Sequence, residues 1–388
     1  MGQTRADGTT SAGQLLHLVR TGRAGTRGEL QQLTGLSRST LGLRLEPLLR
    51  NGWLVEAGST ASTGGRPPTV LRFDARHAVV LSADLDTRHA RAAVLDLAGE
   101  VLAEKSGELV IADGPAVVLD TIAEWFTALL SSTGRSMDQL AGIGLSVPGP
   151  VEFDTGLVIR PPIMPGWDEY PIRDHLARRF DVPVLVDNDA NAMALGEQAA
   201  GYPDCPAFVL VKVSTGIGAG VVIDGSVFRG IDGGAGDIGH IRIRDAGDAK
   251  CQCGSLGCLA AVASGGAVAG ALSELGVTAR SGADVRELIA AGQPDALRLA
   301  REAGRRVGEV LATVVSVLNP GVLMIAGDLA DNHFVTGVHE VLYQTTLPRA
   351  TRHLDVVMGR LADRAALQGV GRLVVDEVYS PAAVDARL

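Results

Sequence analysis

His240 stands eleven residues before Cys251, and Cys253 and Cys258 follow close behind, within the stretch GGAGDIGHIRIRDAGDAKCQCGSLGC from Gly233 to Cys258. One imidazole and three thiolates make a full tetrahedral shell for a structural Zn²⁺, with no position left open for water. The Cys251-x-Cys253 pair suits a small loop, and Gly254 and Gly257 let the backbone fold around an ion. Cysteine is also a common core residue. Three of only four cysteines within eight residues, behind a histidine that follows a glycine-rich stretch, argue for ligation instead. Thiolate and imidazole favour zinc over Ca²⁺ or Mg²⁺, which want oxygen. The expectation is one structural, non-catalytic Zn²⁺ per chain on His240, Cys251, Cys253 and Cys258. Cys205 lies far off and reads as an ordinary small apolar residue.

The chain that must position these ligands has 388 residues, 46% of them hydrophobic, enough for two or three domains with cores of their own. Few cysteines, grouped as ligands, fit a reducing cytoplasm better than a disulfide framework. Residues 1–13 are small and polar, without a basic-then-apolar leader. The apolar stretch around 307–330 is interrupted by Glu309, Asn319 and Pro320, so no membrane span is expected. The net charge of −9 is unevenly spread: residues 1–75 carry nine Arg and no Lys against five acidic residues, a net of +4. The remainder is therefore net −13. A basic module on an acidic body is the asymmetry of a protein whose one end meets a polyanion, although charge alone does not decide it.

Residues 11–57 read as three short helices and a strand. Ser11 caps a first helix with Leu15, Leu16 and Val19 on one face. Thr26 and Glu29 form a capping box for a second, which buries Leu30 and Leu33. Ser37 caps a third that stops at Asn51-Gly52, with Leu41, Leu45, Leu48 and Leu49 inward. Arg38, Ser39, Thr40 and Arg44 lie at or near its opposite, N-terminal side, as in a helix-turn-helix. Trp53-Leu54-Val55 and Thr69–Phe73 then pair as a wing around Thr63-Gly64-Gly65-Arg66-Pro67-Pro68. Arg66, on a slim backbone between glycine and proline, is suited to the negative potential of a minor groove.

From Ala78 the texture changes to alternating strands and helices. Strands are expected at Val79–Asp84, Ala92–Asp96, Gly142–Val147, Val182–Val186 and Phe208–Val213, with an amphipathic helix over 115–133. Asp187-Asn188-Asp189-Ala190-Asn191 runs from a strand end into a helix, and Ser214–Gly220 is a glycine-rich turn. Two α/β halves joined by such turns suggest an actin-like, two-lobed sugar-kinase fold, with a ligand in the cleft at the strand ends.

Gly-x-Ile-Gly-His followed by Cys-x-Cys-Gly-x-x-Gly-Cys resembles the zinc signature of the ROK family of repressors, open reading frames and sugar kinases. The resemblance covers about residues 78–375, and the Gly-Gly-Arg-Pro run is similar to the wing of the family's repressors. It implies that Asn188 and Asp189 bind sugar, with Asp189 at the place of the kinases' general base. It also implies that His240 bridges zinc and a sugar hydroxyl, beside Asp237 in place of a glutamate. Ala260 stands where a second glutamate is expected. The kinases' Asp-x-Gly-Gly-Thr-Lys becomes Asp84-Leu85-Asp86-Thr87-Arg88-His89, and the adenosine-side Gly-Gly becomes Gly327-Asp328. The second phosphate loop, Thr215-Gly216-Ile217-Gly218, is retained.

The organisation expected is a winged helix-turn-helix over 1–75 and a kinase-like domain over 78–388. Lobe 1 would span about 78–195 plus a C-terminal segment, and lobe 2 about 196–365 with the zinc loop. The function expected is a cytoplasmic, DNA-binding transcriptional regulator of the repressor kind, controlling sugar-related genes and not acting as an enzyme. Its partners would be double-stranded DNA, a sugar or sugar-derivative effector, and a second copy in a homodimer or dimer of dimers. Two other readings stay open: an active sugar kinase with a DNA-binding arm, and a regulator with no small-molecule effector.

Overall fold

A computed structural model describes residues 10–59 and 69–388. Helices Ala12–Arg20, Arg27–Thr34 and Arg38–Arg50 lead into antiparallel strands Leu54–Ser59 and Thr69–Phe73. Each helix starts on a hydroxyl that accepts an otherwise orphaned N–H: Ser11 from Gln14, Thr26 from Glu29, Ser37 from Thr40. Two expectations are corrected. Glu29 does not close a box on Thr26, because its Oε2 accepts the N–H of Gly25 at 2.7 Å, one residue further back. Leu33 is 51% exposed, and Thr34 is buried in its stead. At 3.6 residues per turn, the position four after Leu30 lies nearer the buried stripe than the position three after it. Leu41, Leu45 and Leu48 are buried, whereas Leu49 is half-buried. The loop with Arg66 lies outside the described residues.

The body repeats one plan twice. The first sheet has the order Val101–Glu108, His89–Asp96, Val79–Leu85, Leu140–Val147, Val184–Asn188. The second has the order Ser226–Val227, Ile217–Ile223, Ala207–Val213, Val322–Ala326, Asp355–Met358. In each, three antiparallel strands continue into two parallel ones. Parallel strands are covered on both faces, so they read as unbroken apolar runs, and every residue of Val322–Ala326 is buried. This is the two-lobed, actin-like α/β fold. The apolar stretch near 307–330 resolves into the end of helix Pro294–Leu318 and that strand. Among the described residues, no helix is long and apolar enough to cross a membrane.

Helix Asp189–Gly201 starts where the last strand of the first sheet ends, and packs on both the second sheet and helix Ala365–Val378. The two helices touch backbone to backbone. A Cβ on Gly196 would lie 2.2 Å from the Ala365 carbonyl oxygen, and one on Gly369 would lie 1.7 Å from that of Ala192.

The N-terminal module is docked, not tethered. Leu15, Leu16 and Val19 share one apolar cluster with Val374, Val375, Val378, Tyr379 and Val384. The Tyr379 ring meets Phe73 at 5.3 Å, His77 at 5.4 Å and Trp53 at 6.2 Å, all edge-on. Its hydroxyl lies 2.6 Å from His77 Nε2. Arg20 pairs with Asp376 at 2.7 Å, and the Gly13 N–H donates to Asp385 at 2.8 Å.

Candidate ligand cleft and metal centre

His240 ends the short turn Ile238–His240, and bridges Arg242–Cys258 and Lys250–Leu256 shape the loop that carries the cysteines. Gly254 and Gly257 have φ of +88° and +74°, conformations that a side chain would strain. His240, Cys251, Cys253 and Cys258 bring one donor each to within 4.8 Å of one another, a cluster able to hold a metal ion. Cys251 Sγ lies 3.6 Å from His240 Nδ1, and Cys253 Sγ lies 3.8 Å from Cys258 Sγ. The thiols cannot all ionise side by side without a cation. Burial, then the neighbouring sulfurs, push Cys258 up to about 12, while the Ser255 amide holds Cys253 down to about 6.

Beside the cluster a cavity of about 510 Å³ runs between the two sheets, lined in part by Asn188, Asp189, Lys212, Asp237, His240 and Asp86. Asn188 caps the helix that follows: its Oδ1 accepts from Ala190 N–H at 2.9 Å, and its Nδ2 donates to the Gly149 carbonyl at 3.1 Å. One lone pair and one N–H remain for a ligand. Asp187, just before it, is held by Arg229, whose guanidinium also lies 3.8 Å from the Phe153 ring centre. Asp237 is raised above the usual carboxylate value by burial, against the pull of His240. Ala260 lines the same cavity.

Asp189 is committed. Its Oδ1 accepts from the Ala190 N–H at 2.7 Å, and its Oδ2 pairs with Lys212 Nζ at 2.6 Å. Sequence reasoning missed Lys212, although a signal was there: it is the one charge in the apolar strand Ala207–Val213. Near the same Lys212, Asp86 Oδ1 accepts the Thr87 N–H at 2.7 Å, taking up the backbone donor that this turn would offer a phosphate. Asp328, on the strand end opposite, pairs with Arg286 at 3.3 Å, and burial raises its pKa although Arg286 opposes this.

Far from the cleft, Arg38 and Ser39 are exposed on the first turn of the third helix. The Thr40 hydroxyl is joined to Ser37 Oγ at 2.9 Å, and Arg44 bonds the Thr10 carbonyl.

The sequence profile of the ROK family matches residues 80–377. Over 371 residues the chain is 28% identical to the xylose repressor of Caldicellulosiruptor bescii, with 92% of each chain covered. It is 32% identical over 306 residues to a glucokinase of Halalkalibacterium halodurans, covering 74% of this chain and 92% of that one. The crystal structure of a ROK family transcriptional regulator, a homologue of the E. coli MLC protein, superposes with a TM-score of 0.82 at 25% identity, over 96% of this chain and 97% of that one. The repressor relatives span the N-terminal module as well as the body, and the glucokinase matches a shorter part. With the profile match running from the first sheet into the C-terminal helix, and the His-Cys motif gathered into one cluster, the chain belongs to the ROK family.

Proposed function

We propose that this protein is a sugar-responsive transcriptional repressor whose kinase-like body, residues 78–388, senses a sugar and does not phosphorylate it. Residues 1–75 are its DNA-binding module, with Arg38, Ser39, Thr40, Arg44 and Arg66 facing the duplex. One short recognition helix reads only a few base pairs, so a symmetric dimer on a two-fold repeat is the form that binds specifically. In this reading it acts in the cytoplasm, where a regulator meets DNA and metal-binding thiols stay reduced.

The observation that carries the reading is Asp86: its carboxylate consumes the Thr87 N–H and sets a negative charge where a nucleotide phosphate would lie. Asn188, Asp189, Asp237 and His240 offer the hydroxyl-reading end of the cleft, and the repressor relatives support the DNA-binding end.

The metal of the cluster is zinc in this reading. Tetrahedral zinc with Zn–S near 2.3 Å and Zn–N near 2.0 Å implies edges of about 3.8 Å between sulfurs and about 3.5 Å from sulfur to nitrogen. The spacings of 3.8 Å and 3.6 Å fit that shell. Zinc supplies no chemistry here beyond holding the loop. With Nδ1 turned to it, His240 keeps Nε2 for a ligand hydroxyl.

The test pairs two assays on one preparation. Footprinting should show a two-fold site that is released by one member of a monosaccharide panel, and coupled ATP turnover over the same panel should stay at background. Turnover near about one per second, within the normal kinase range, overturns the reading.

A further inference from the structure

The Asp189 end of the cleft holds more charge than hydroxyl recognition needs. Lys212 comes from the strand Ala207–Val213 of the second sheet, and its Nζ reaches Asp189 Oδ2 at 2.6 Å. Asp84, at the end of the first sheet's central strand, accepts from the Ser146 hydroxyl, and Asp86 lies on the turn after it. Asp328 faces the same ammonium from the strand end at Ala326. Burial alone would lower Lys212, but the carboxylates of Asp189, Asp86 and Asp84 outweigh it and hold the ammonium above its ordinary pKa. Asp84 is raised to about 6, first by burial, against the pull of Lys212. Asp328 has Arg286 as a partner of its own, so the single Lys212 ammonium is shared by the carboxyl groups of Asp84, Asp86 and Asp189, and acidic groups outnumber basic ones at this end of the cavity. The other cations lining it, Lys250 and Arg280, are solvent-exposed and cancel little of that charge through water.

We propose that Lys212 is the built-in counter-ion of the Asp189 carboxylate, and that this end of the cleft admits a neutral hydroxyl and rejects an anion, so that the effector is an unphosphorylated sugar. This rests on the sugar-sensing reading and narrows it. With its Oδ2 on Lys212 and its Oδ1 on a backbone N–H, Asp189 positions a hydroxyl and is poorly placed to take its proton. A phosphate ester there would meet Asp86 and Asp189 with no cation to spare, since Lys212 is already shared.

The experiment uses the full-length, metal-loaded protein. Calorimetric titration compares each of glucose, N-acetylglucosamine and xylose with its own phosphate ester. For any sugar that binds, the ester should bind at least about tenfold more weakly, as one unscreened like charge demands. An ester that binds as tightly as its parent, or more tightly, overturns the proposal. Binding of no sugar and no ester refutes the sensing reading and the effector half with it.

The counter-ion half has its own readout. In Lys212→Met the Asp84 carboxyl loses the cation that pulls against its burial, so its folded-state pKa, already raised, rises further. A raised carboxyl stabilises while protonated and loses that stability as pH rises past its unfolded value. The melting deficit against the unmodified protein should thus be small at about pH 5 and large at about pH 8. Lys212→Met combined with Asp189→Asn should recover much of it. A deficit equal at both pH values, or one deepened by the second substitution, refutes the ionic role.

Discussion

Replacing Cys253 by serine removes one of three sulfurs from a loop that has little apolar packing of its own, and the Cys253 side chain is exposed. Metal content should fall from about one zinc per chain to well below that, and the melting temperature should fall with it. Metal analysis of protein purified without added zinc checks both. Without metal the Cys258 thiol sits up at about 12, so binding must displace its proton, and affinity should drop steeply on acidification. Chelator competition at two pH values reads that slope. At this scale much of the site was legible, because His240 and the three cysteines lie within one short stretch and their chemistry is local. Lys212 was not. Its meaning depends on Asp84, Asp86 and Asp189, which come from elements more than twenty residues away in the chain.

Among the elements, the contact between helices Asp189–Gly201 and Ala365–Val378 is the tightest constraint on the cleft. Gly369→Ala would set a methyl 1.7 Å from the Ala192 carbonyl oxygen, so the helices must part. Overpacking of this kind costs about 1–3 kcal/mol. Because Asp189 begins one of these helices, sugar affinity should weaken together with the melting temperature, whereas metal content should not change. Calorimetry and metal analysis on the same variant separate these outcomes. The three N-terminal helices, the helix over 115–133 and five strands of the body were readable from caps and periodicity, and Ser11 and Ser37 cap as their residue types demand. The strand Val322–Ala326 was not separated from the apolar stretch around it. Glu29 and Leu33 were misread for a local reason. A capping pattern does not say which of two adjacent N–H groups the carboxylate takes, and an eight-residue helix is too short for periodicity to settle its buried face.

For the whole molecule, the seam between the two ends of the chain is the packed contact that joins the N-terminal module to the body carrying the cleft. Tyr379 is 2% exposed, and its aromatic neighbours come from the N-terminal side of the chain, Trp53, Phe73 and His77. Tyr379→Ala should cost about 3–5 kcal/mol. It should weaken operator binding and speed proteolysis near residue 75, with sugar and zinc binding retained. The seam should also loosen in acid. His17 and His77 are both held below the ordinary histidine value of about 6.5, chiefly by burial. A histidine depressed in the folded state gives up stability as pH falls through its unfolded value, so docking should weaken from about pH 6.5 downward. Proteolysis rates across that range check the sign. None of this was visible in sequence, since Arg20 and Asp376 stand 356 residues apart. That separation has a consequence for how the protein is made. Translation at the usual 5–20 residues per second leaves roughly 20–70 s between the first helix and the helix that completes its core. A nascent chain therefore carries Leu15, Leu16 and Val19 with part of their apolar cover still unmade until the ribosome has finished the sensor, so a truncated product should not yield a well-packed DNA-binding head free of its control.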